Sequence, residues 1–179
     1  MRKLKLHELQ RISTNEFKFT KKTPLVLALD NVRSMHNVGS LFRIADAFLL
    51  EKIYLCGITA VPPHREISKT ALGAEDTVDW EHCNDLCALI DNLKKQNYLI
   101  IGVEQADASV PLHKFNVQAD VKHCLIFGNE VFGIDQKVLD KVDYCVEIPQ
   151  FGTKHSLNIA VAAGIAIWDL FIKTKQDSD

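Results

Sequence analysis

The sequence predicts an α/β fold built on a mostly parallel sheet, and three observations predict it. Apolar runs of strand length alternate along the chain with segments of helical periodicity. Those runs are apolar throughout rather than at every second residue, which suits strands covered on both faces. Polar, glycine-containing clusters follow three of the runs directly, where open α/β sheets bind their ligands.

The elements follow in order. Residues 4–12 read as a short amphipathic helix and 13–23 as a polar linker. "PLVLALD" (24–30) is the first strand. Residues 38–50 read as a helix, because Val38, Leu41, Phe42, Ala45, Phe48 and Leu49 form one apolar stripe at helical spacing. "KIYLCGI" (52–58) is a second strand, and "TAVPPHRE" is a loop because Pro62 and Pro63 break any helix. A short helix over 65–71 and the turn "LGAEDT" lead to Trp80. Residues 83–96 form a helix with Leu86, Leu89, Ile90 and Leu93 on one face. "YLIIGVEQ" (98–105), "HCLIFGNE" (123–130) and "YCVEIPQ" (144–150) are strands, with a helix near 135–140. The last helix starts near Ser156, read as its N-cap.

A chain of 179 residues suits one domain with a sizeable core. No apolar run approaches the roughly 20 residues that span a bilayer, and the basic start "MRKLKLHELQ" lacks the apolar stretch of a secretory signal. These features predict a cytoplasmic protein. The five cysteines, Cys56, Cys83, Cys87, Cys124 and Cys145, form no CxxC pair, and the seven histidines show no metal-ligand spacing. Cys56, Cys124 and Cys145 read as small buried hydrophobes. Net charge is −2, but residues 1–22 carry seven Lys/Arg against two Glu, leaving −7 on the remaining 157. A basic arm on an acidic body suits contact with phosphates, or simply a solvated helix and linker.

Three clusters carry the chemistry. "NVRSMHNVGSLFR" (31–43) offers the amides Asn31 and Asn37 and the arginines Arg33 and Arg43, groups that suit phosphates and ribose hydroxyls. Arg43 lies off the apolar stripe among Gly39, Ser40 and Ala47, small residues that let something large approach the helix. Its bland alternative is an ion pair with Asp46 at i+3. "GNEVFGID" (128–135) pairs Gly128 and Gly133, which permit positive φ and close backbone approach, with the carboxylate of Glu130. It is neither a GxGxxG nor a P-loop pattern. "IPQFGTKHSLNIAVAAG" (148–164) joins a strand end to a helix start, with Ser156 and Asn158 flanking free backbone N–H groups. The helix beyond is apolar all round, which favours burial against another subunit.

Together the clusters are far more specific than any one. Asn37-x-Gly39 with Arg43, then Gly128-x-Glu130-x-x-Gly133, then Ile148-Pro149 with Ser156-Leu157-Asn158 resemble, in that order, the three motifs of the SpoU family of RNA ribose 2′-O-methyltransferases. The resemblance covers roughly residues 24–172. Gln150 and Ile159-Ala160 stand where members often carry methionine and valine-serine. The resemblance implies a six-stranded, mostly parallel sheet with a C-terminal trefoil knot, a homodimer, and S-adenosyl-L-methionine as cofactor. With the charge distribution, it gives a division into a basic arm or short helix, 1–22, and a methyltransferase domain, 23–175. It implies Asn37, Arg43, Glu130, Ser156 and Asn158 as catalytic residues, and Glu104, Gly128, Ile148 and Leu157 around the cofactor, with no metal. The implied substrate is RNA, with tRNA favoured over rRNA because no large appended RNA-binding domain is present. A catalytically inactive RNA-binding protein and a methyltransferase acting on a base nitrogen are the alternatives.

Overall fold

The structure, a computed structural model, describes residues 1–117 and 121–176. Seven strands form one sheet: β1 (Thr23–Asp30), β2 (Leu50–Cys56), β3 (Trp80–Cys83), β4 (Tyr98–Val103), β5 (Val110–Pro111), β6 (Lys122–Phe127) and β7 (Tyr144–Glu147). Their spatial order is β3-β2-β1-β6-β4-β7-β5, and every pairing is parallel. The six strands expected from the resemblance are therefore seven. The two that escaped sequence reading are short edge strands: β3 is half exposed, and β5 has two residues, one of them a proline.

The continuous apolar runs have a direct explanation. On β1, Leu25, Leu27 and Leu29 enter one core while Val26 and Ala28 enter the other, and β6 divides Leu125 and Phe127 from Cys124 and Ile126 in the same way. The first core packs against α2 (Met35–Ala47), α3 (Arg65–Ala71) and α6 (Ile159–Gln176). The second packs against α4 (Leu86–Lys95) and α5 (Gln136–Leu139).

Several boundaries move for reasons of capping. The expected helix over 4–12 is only a 3-10 turn at Leu6–Glu8. The expected linker over 13–23 instead holds α1 (Thr14–Phe19), started by a capping box in which Ser13 accepts from the Glu16 N–H and the Glu16 carboxylate accepts from the Ser13 N–H. Phe17 is buried in the first core, so α1 packs onto the same layer as α2, α3 and α6. Helix α2 begins at residue 35 rather than 38 because Ser34 caps it. Helix α4 begins at 86 rather than 83 because Asp85 accepts from the N–H groups of Cys87 and Ala88. Cys145 is half-buried, less enclosed than Cys56 and Cys124. Among the described residues, no helix is long and apolar enough to cross a membrane.

The strand order reverses direction at β1, whose neighbours are β2 and β6. A crevice outside the carboxyl ends is the expected consequence of such a reversal. The segments that follow β1, β6, β4 and β7 all open onto that side, and they contain most of the residues singled out above.

Candidate active site

The turn after β6 is built by one side chain. Asn129 and Gly133 exchange backbone hydrogen bonds of 3.0 and 2.9 Å. The Asn129 Oδ1 accepts from the N–H groups of Val131 and Phe132, and its Nδ2 donates to the Asn31 carbonyl at 2.8 Å. Gly133 has φ +69°, and a Cβ there would lie 2.2 Å from Glu104 Oε2. A Cβ on Gly128 would lie 2.2 Å from Gly133 itself. The close approach at Gly128 is therefore made by the other end of its own loop. Asn129 was missed by sequence reading. Its signal was an Asx residue opening a tight glycine-bounded turn.

Glu130 projects from this turn across to the start of α2. One carboxylate oxygen accepts from the Arg33 N–H at 2.9 Å, and the other from the Ser34 N–H at 3.0 Å and from Asn37 Nδ2 at 3.0 Å. Partial burial pushes the Glu130 carboxyl up, and these donors outweigh it, holding the group below the usual carboxylate range. Asn37 in turn accepts from Asn158 Nδ2 at 3.1 Å. Asn158 also accepts from the Ala160 and Val161 N–H groups, which makes it the N-cap of α6 in place of the expected Ser156. The fold thus links Asn37, Glu130 and Asn158 in one chain of hydrogen bonds.

Beside this chain lies an open cavity of about 490 Å³. Glu104, Gly128, Ile148 and Leu157 all line it, together with Glu130 and Ser156. Phe127, Leu139 and Ile159 add apolar wall, and Glu147 a third acidic group. The Glu104 carboxylate is already engaged, accepting from the Gln105 and Ile134 N–H groups at 2.9 and 3.0 Å. Gln105 Nε2 donates to the His155 carbonyl at 2.7 Å and ties the loop before α6 to the end of β4. Among the described residues, no cluster of three or more His, Cys, Asp or Glu is disposed to hold a metal ion.

Arg43 is elsewhere. It is exposed on α2 and lines a separate groove with Ser40, Ile44, Ala47, Phe48, Lys69 and Thr70. The ion pair with Asp46 is not formed. The Asp46 carboxylate accepts from the Thr77 hydroxyl at 2.7 Å, and no described residue pairs with Arg43. Gly39 also answers differently from expectation. It is buried, and a Cβ on it would lie 2.2 Å from both the Ile67 carbonyl and Thr70 Oγ1. What approaches this small residue is helix α3. Asn31, at φ +55°, is structural too: its Oδ1 accepts from the Ile58 N–H at 3.1 Å.

The face of α6 that misses the core carries Val161, Ile165 and Trp168, all exposed. Trp168 meets Phe48 at 5.8 Å between ring centroids, so this apolar stripe borders the groove holding Arg43.

Comparison with known proteins identifies the family and the fold. The model of the SpoU rRNA Methylase family matches residues 24–168. A putative TrmH family tRNA/rRNA methyltransferase of Staphylococcus aureus is 31% identical over 148 residues, covering 83% of this chain and 58% of the relative. The chain thus spans under two thirds of that relative's length. The A. aeolicus TrmH/SpoU tRNA modifying enzyme superposes with a TM-score of 0.81 at 20% identity, covering 92% of this chain and 84% of that one. The AdoMet-bound rRNA methyltransferase of Sinorhizobium meliloti superposes with a TM-score of 0.77 at 25% identity, covering 86% and 59%.

Proposed function

The chain belongs to the SpoU rRNA methylase family, and from that premise we propose that it transfers a methyl group from S-adenosyl-L-methionine to a ribose 2′-hydroxyl of RNA in the cytoplasm, with tRNA the favoured substrate. The observation that carries this reading is the hydrogen-bonded chain Glu130–Asn37–Asn158 beside a ligand-sized cavity.

The cavity suits the methyl donor. Its volume, about 490 Å³, falls in the range of small-molecule sites. Phe127, Leu139, Ile148, Leu157 and Ile159 offer apolar surface to a purine, while Glu104 and Glu147 offer negative charge to a cationic sulfonium or ammonium. When bound, the donor supplies an electrophilic methyl group. The chain's own task is to present a hydroxyl in line and manage its proton. Orientation of this kind contributes up to roughly 7–11 kcal/mol in favourable intramolecular systems. Glu130 holds the start of α2 and Asn37 in place, Asn158 fixes the Asn37 amide, and the Ser156 hydroxyl at the cavity wall contacts the ribose.

A guanidinium stays protonated at neutral pH, so Arg43 acts electrostatically: it holds a phosphate or stabilises the developing alkoxide. Because Arg43 opens onto its own groove, it serves the cavity of a second copy in a homodimer joined through the Val161, Ile165 and Trp168 face. The loops 128–133 and 148–158 are the threaded part of a trefoil knot in this reading. The basic segment 1–22 contacts RNA phosphates, and residues 23–175 form the catalytic domain.

Incubation with labelled S-adenosyl-L-methionine and bulk tRNA or rRNA, followed by nuclease digestion and mass spectrometry, tests the proposal. The expected product is a 2′-O-methylated nucleoside, lost in Asn37→Ala. A methylated base overturns the ribose assignment. Binding without transfer to any RNA overturns the enzyme reading.

A further inference from the structure

The turn that carries Glu130 also carries a side chain with no role in the scheme above. Phe132 is 85% exposed, and its neighbour Val131 is 68% exposed, although both line the cavity. Exposed apolar side chains on a loop are ordinary when the loop is loose. This one is tied down. The Phe132 N–H donates to Asn129 Oδ1 at 3.2 Å, the Val131 N–H donates to the same oxygen at 2.9 Å, and the two ends of the turn exchange backbone hydrogen bonds. Glu130, two residues away, is clamped by three donors from α2 and the segment before it. The fold therefore holds an aromatic ring in water on an ordered backbone, at the mouth of a cavity rimmed by amides, a carboxylate and a hydroxyl. A flat apolar surface next to polar groups is what a nucleoside needs: the polar set for its sugar, the ring for its base.

Resting on the RNA methyltransferase reading, we propose that Phe132 is a stacking platform for an unpaired RNA base at the cavity mouth. Aromatic stacking accepts any base, because each has a π-face, and it orders the nucleotide without reading its identity. An ordered backbone makes the platform effective, since little entropy is lost when the base arrives. The methyl donor is the less suitable occupant, because the Phe132 ring stands 85% exposed to solvent, whereas Phe127 and Ile148 on the same cavity are buried and half-buried. A second copy is also less suitable, because the exposed stripe of α6 lies on a different element.

The test uses the full chain with Phe132→Ala, Phe132→Leu and Phe132→Trp. The probes are unfractionated tRNA and a uridine dodecamer bearing one central 2-aminopurine, whose fluorescence falls on stacking. The expected result is a 5- to 150-fold weaker Kd for RNA in Phe132→Ala, in line with losses of roughly 1–3 kcal/mol per stacked base, together with loss of quenching. Phe132→Trp restores both, and Phe132→Leu restores neither. The salt dependence of binding and the Kd for S-adenosyl-L-methionine stay unchanged, as does the sedimentation coefficient. Unchanged RNA affinity in Phe132→Ala overturns the proposal, as does rescue by Phe132→Leu. A loss confined to cofactor affinity or to subunit association overturns it too. These readouts need no turnover. Wild type that quenches the probe but methylates no RNA sinks the enzyme reading and leaves the stacking intact. Active wild type matched by Phe132→Ala sinks the stacking alone.

Discussion

Asn158 Nδ2 donates to Asn37 Oδ1 across 3.1 Å, although 121 residues separate them in the chain. The orientation of the Asn158 amide is dictated, because its oxygen must face the N–H groups at the start of α6. One side chain thus performs a helix cap and a site contact from opposite ends.

Asn158→Asp separates those two roles. A carboxylate still caps α6 and suits the positive end of the helix dipole, but it has no donor for Asn37. Thermal unfolding of Asn158→Asp is expected within about 0.5 kcal/mol of wild type, with methyl transfer at least tenfold slower. Asn158→Ala loses the cap as well, at a cost of about 1 kcal/mol. Equal activity in Asn158→Asp and wild type contradicts the assigned contact.

Glu130→Gln removes an acceptor from a site with three donors. An amide NH₂ then faces an N–H, and roughly 1–3 kcal/mol is lost. The folded-state pKa of Glu130 is depressed, so its contribution is fully present above the unfolded value of about 4.3 and fades as pH falls through the lower folded value. The gap between wild type and Glu130→Gln in urea unfolding is expected to be constant from pH 8 to 6 and to close in acid. A gap that widens in acid rules this out.

His123 is the opposite case. It is buried on β6, and its Nε2 has no hydrogen-bond partner. Burial lowers its pKa, so the fold keeps it neutral. The unfolded chain takes up a proton near pH 6.5, hence stability falls as pH drops below that value and is unaffected above it. His123→Leu is expected to flatten the stability profile between pH 7 and 5, read by urea midpoints. An unchanged slope in that window disproves the role of His123.

Gly39 and Gly164 are expected to respond oppositely to alanine. At Gly39 the new Cβ meets the Ile67 backbone oxygen at 2.2 Å, which forces α3 off α2 and costs about 1–3 kcal/mol or more. At Gly164 the nearest atom is Ile44 Cδ1 at 3.8 Å, an ordinary contact. There the helix gains up to about 1 kcal/mol of propensity. Calorimetric melting of both variants reads the difference, and similar shifts for the two refute the packing argument.

Arg43→Ala and Glu130→Ala are each expected to be nearly inactive. If the site is shared between copies, mixing the two variants generates dimers with one intact site and recovers part of the wild-type rate. No recovery on mixing, after subunit exchange has been verified by sedimentation of tagged chains, places Arg43 and Glu130 in the same copy's site.

Much of the fold was legible in the residues. The runs in β1, β4 and β6 are apolar on both faces, and the stripe of α4 repeats at helical spacing, because burial on one or two sides imposes those patterns locally. The glycine-bounded turn after β6 was legible for the same local reason. The helix starts were harder, since Ser13, Ser34, Asp85 and Asn158 compete with other capping residues nearby, Ser156 among them. The short edge strands β3 and β5 bury too little to show a period.

By itself, then, the sequence determined the strands β1, β2, β4, β6 and β7 and the helices α2 to α6, and which polar residues stand at the strand ends. Only the tertiary structure decided what those residues meet. It brought Asn37 to Glu130 and Asn158, gave Gly39 to α3, and turned Arg43 toward a groove of its own. The reason is physical. Periodicity and turn chemistry depend on neighbours along the chain, whereas contacts across 93 and 121 residues depend on how the helical layers seat on the sheet.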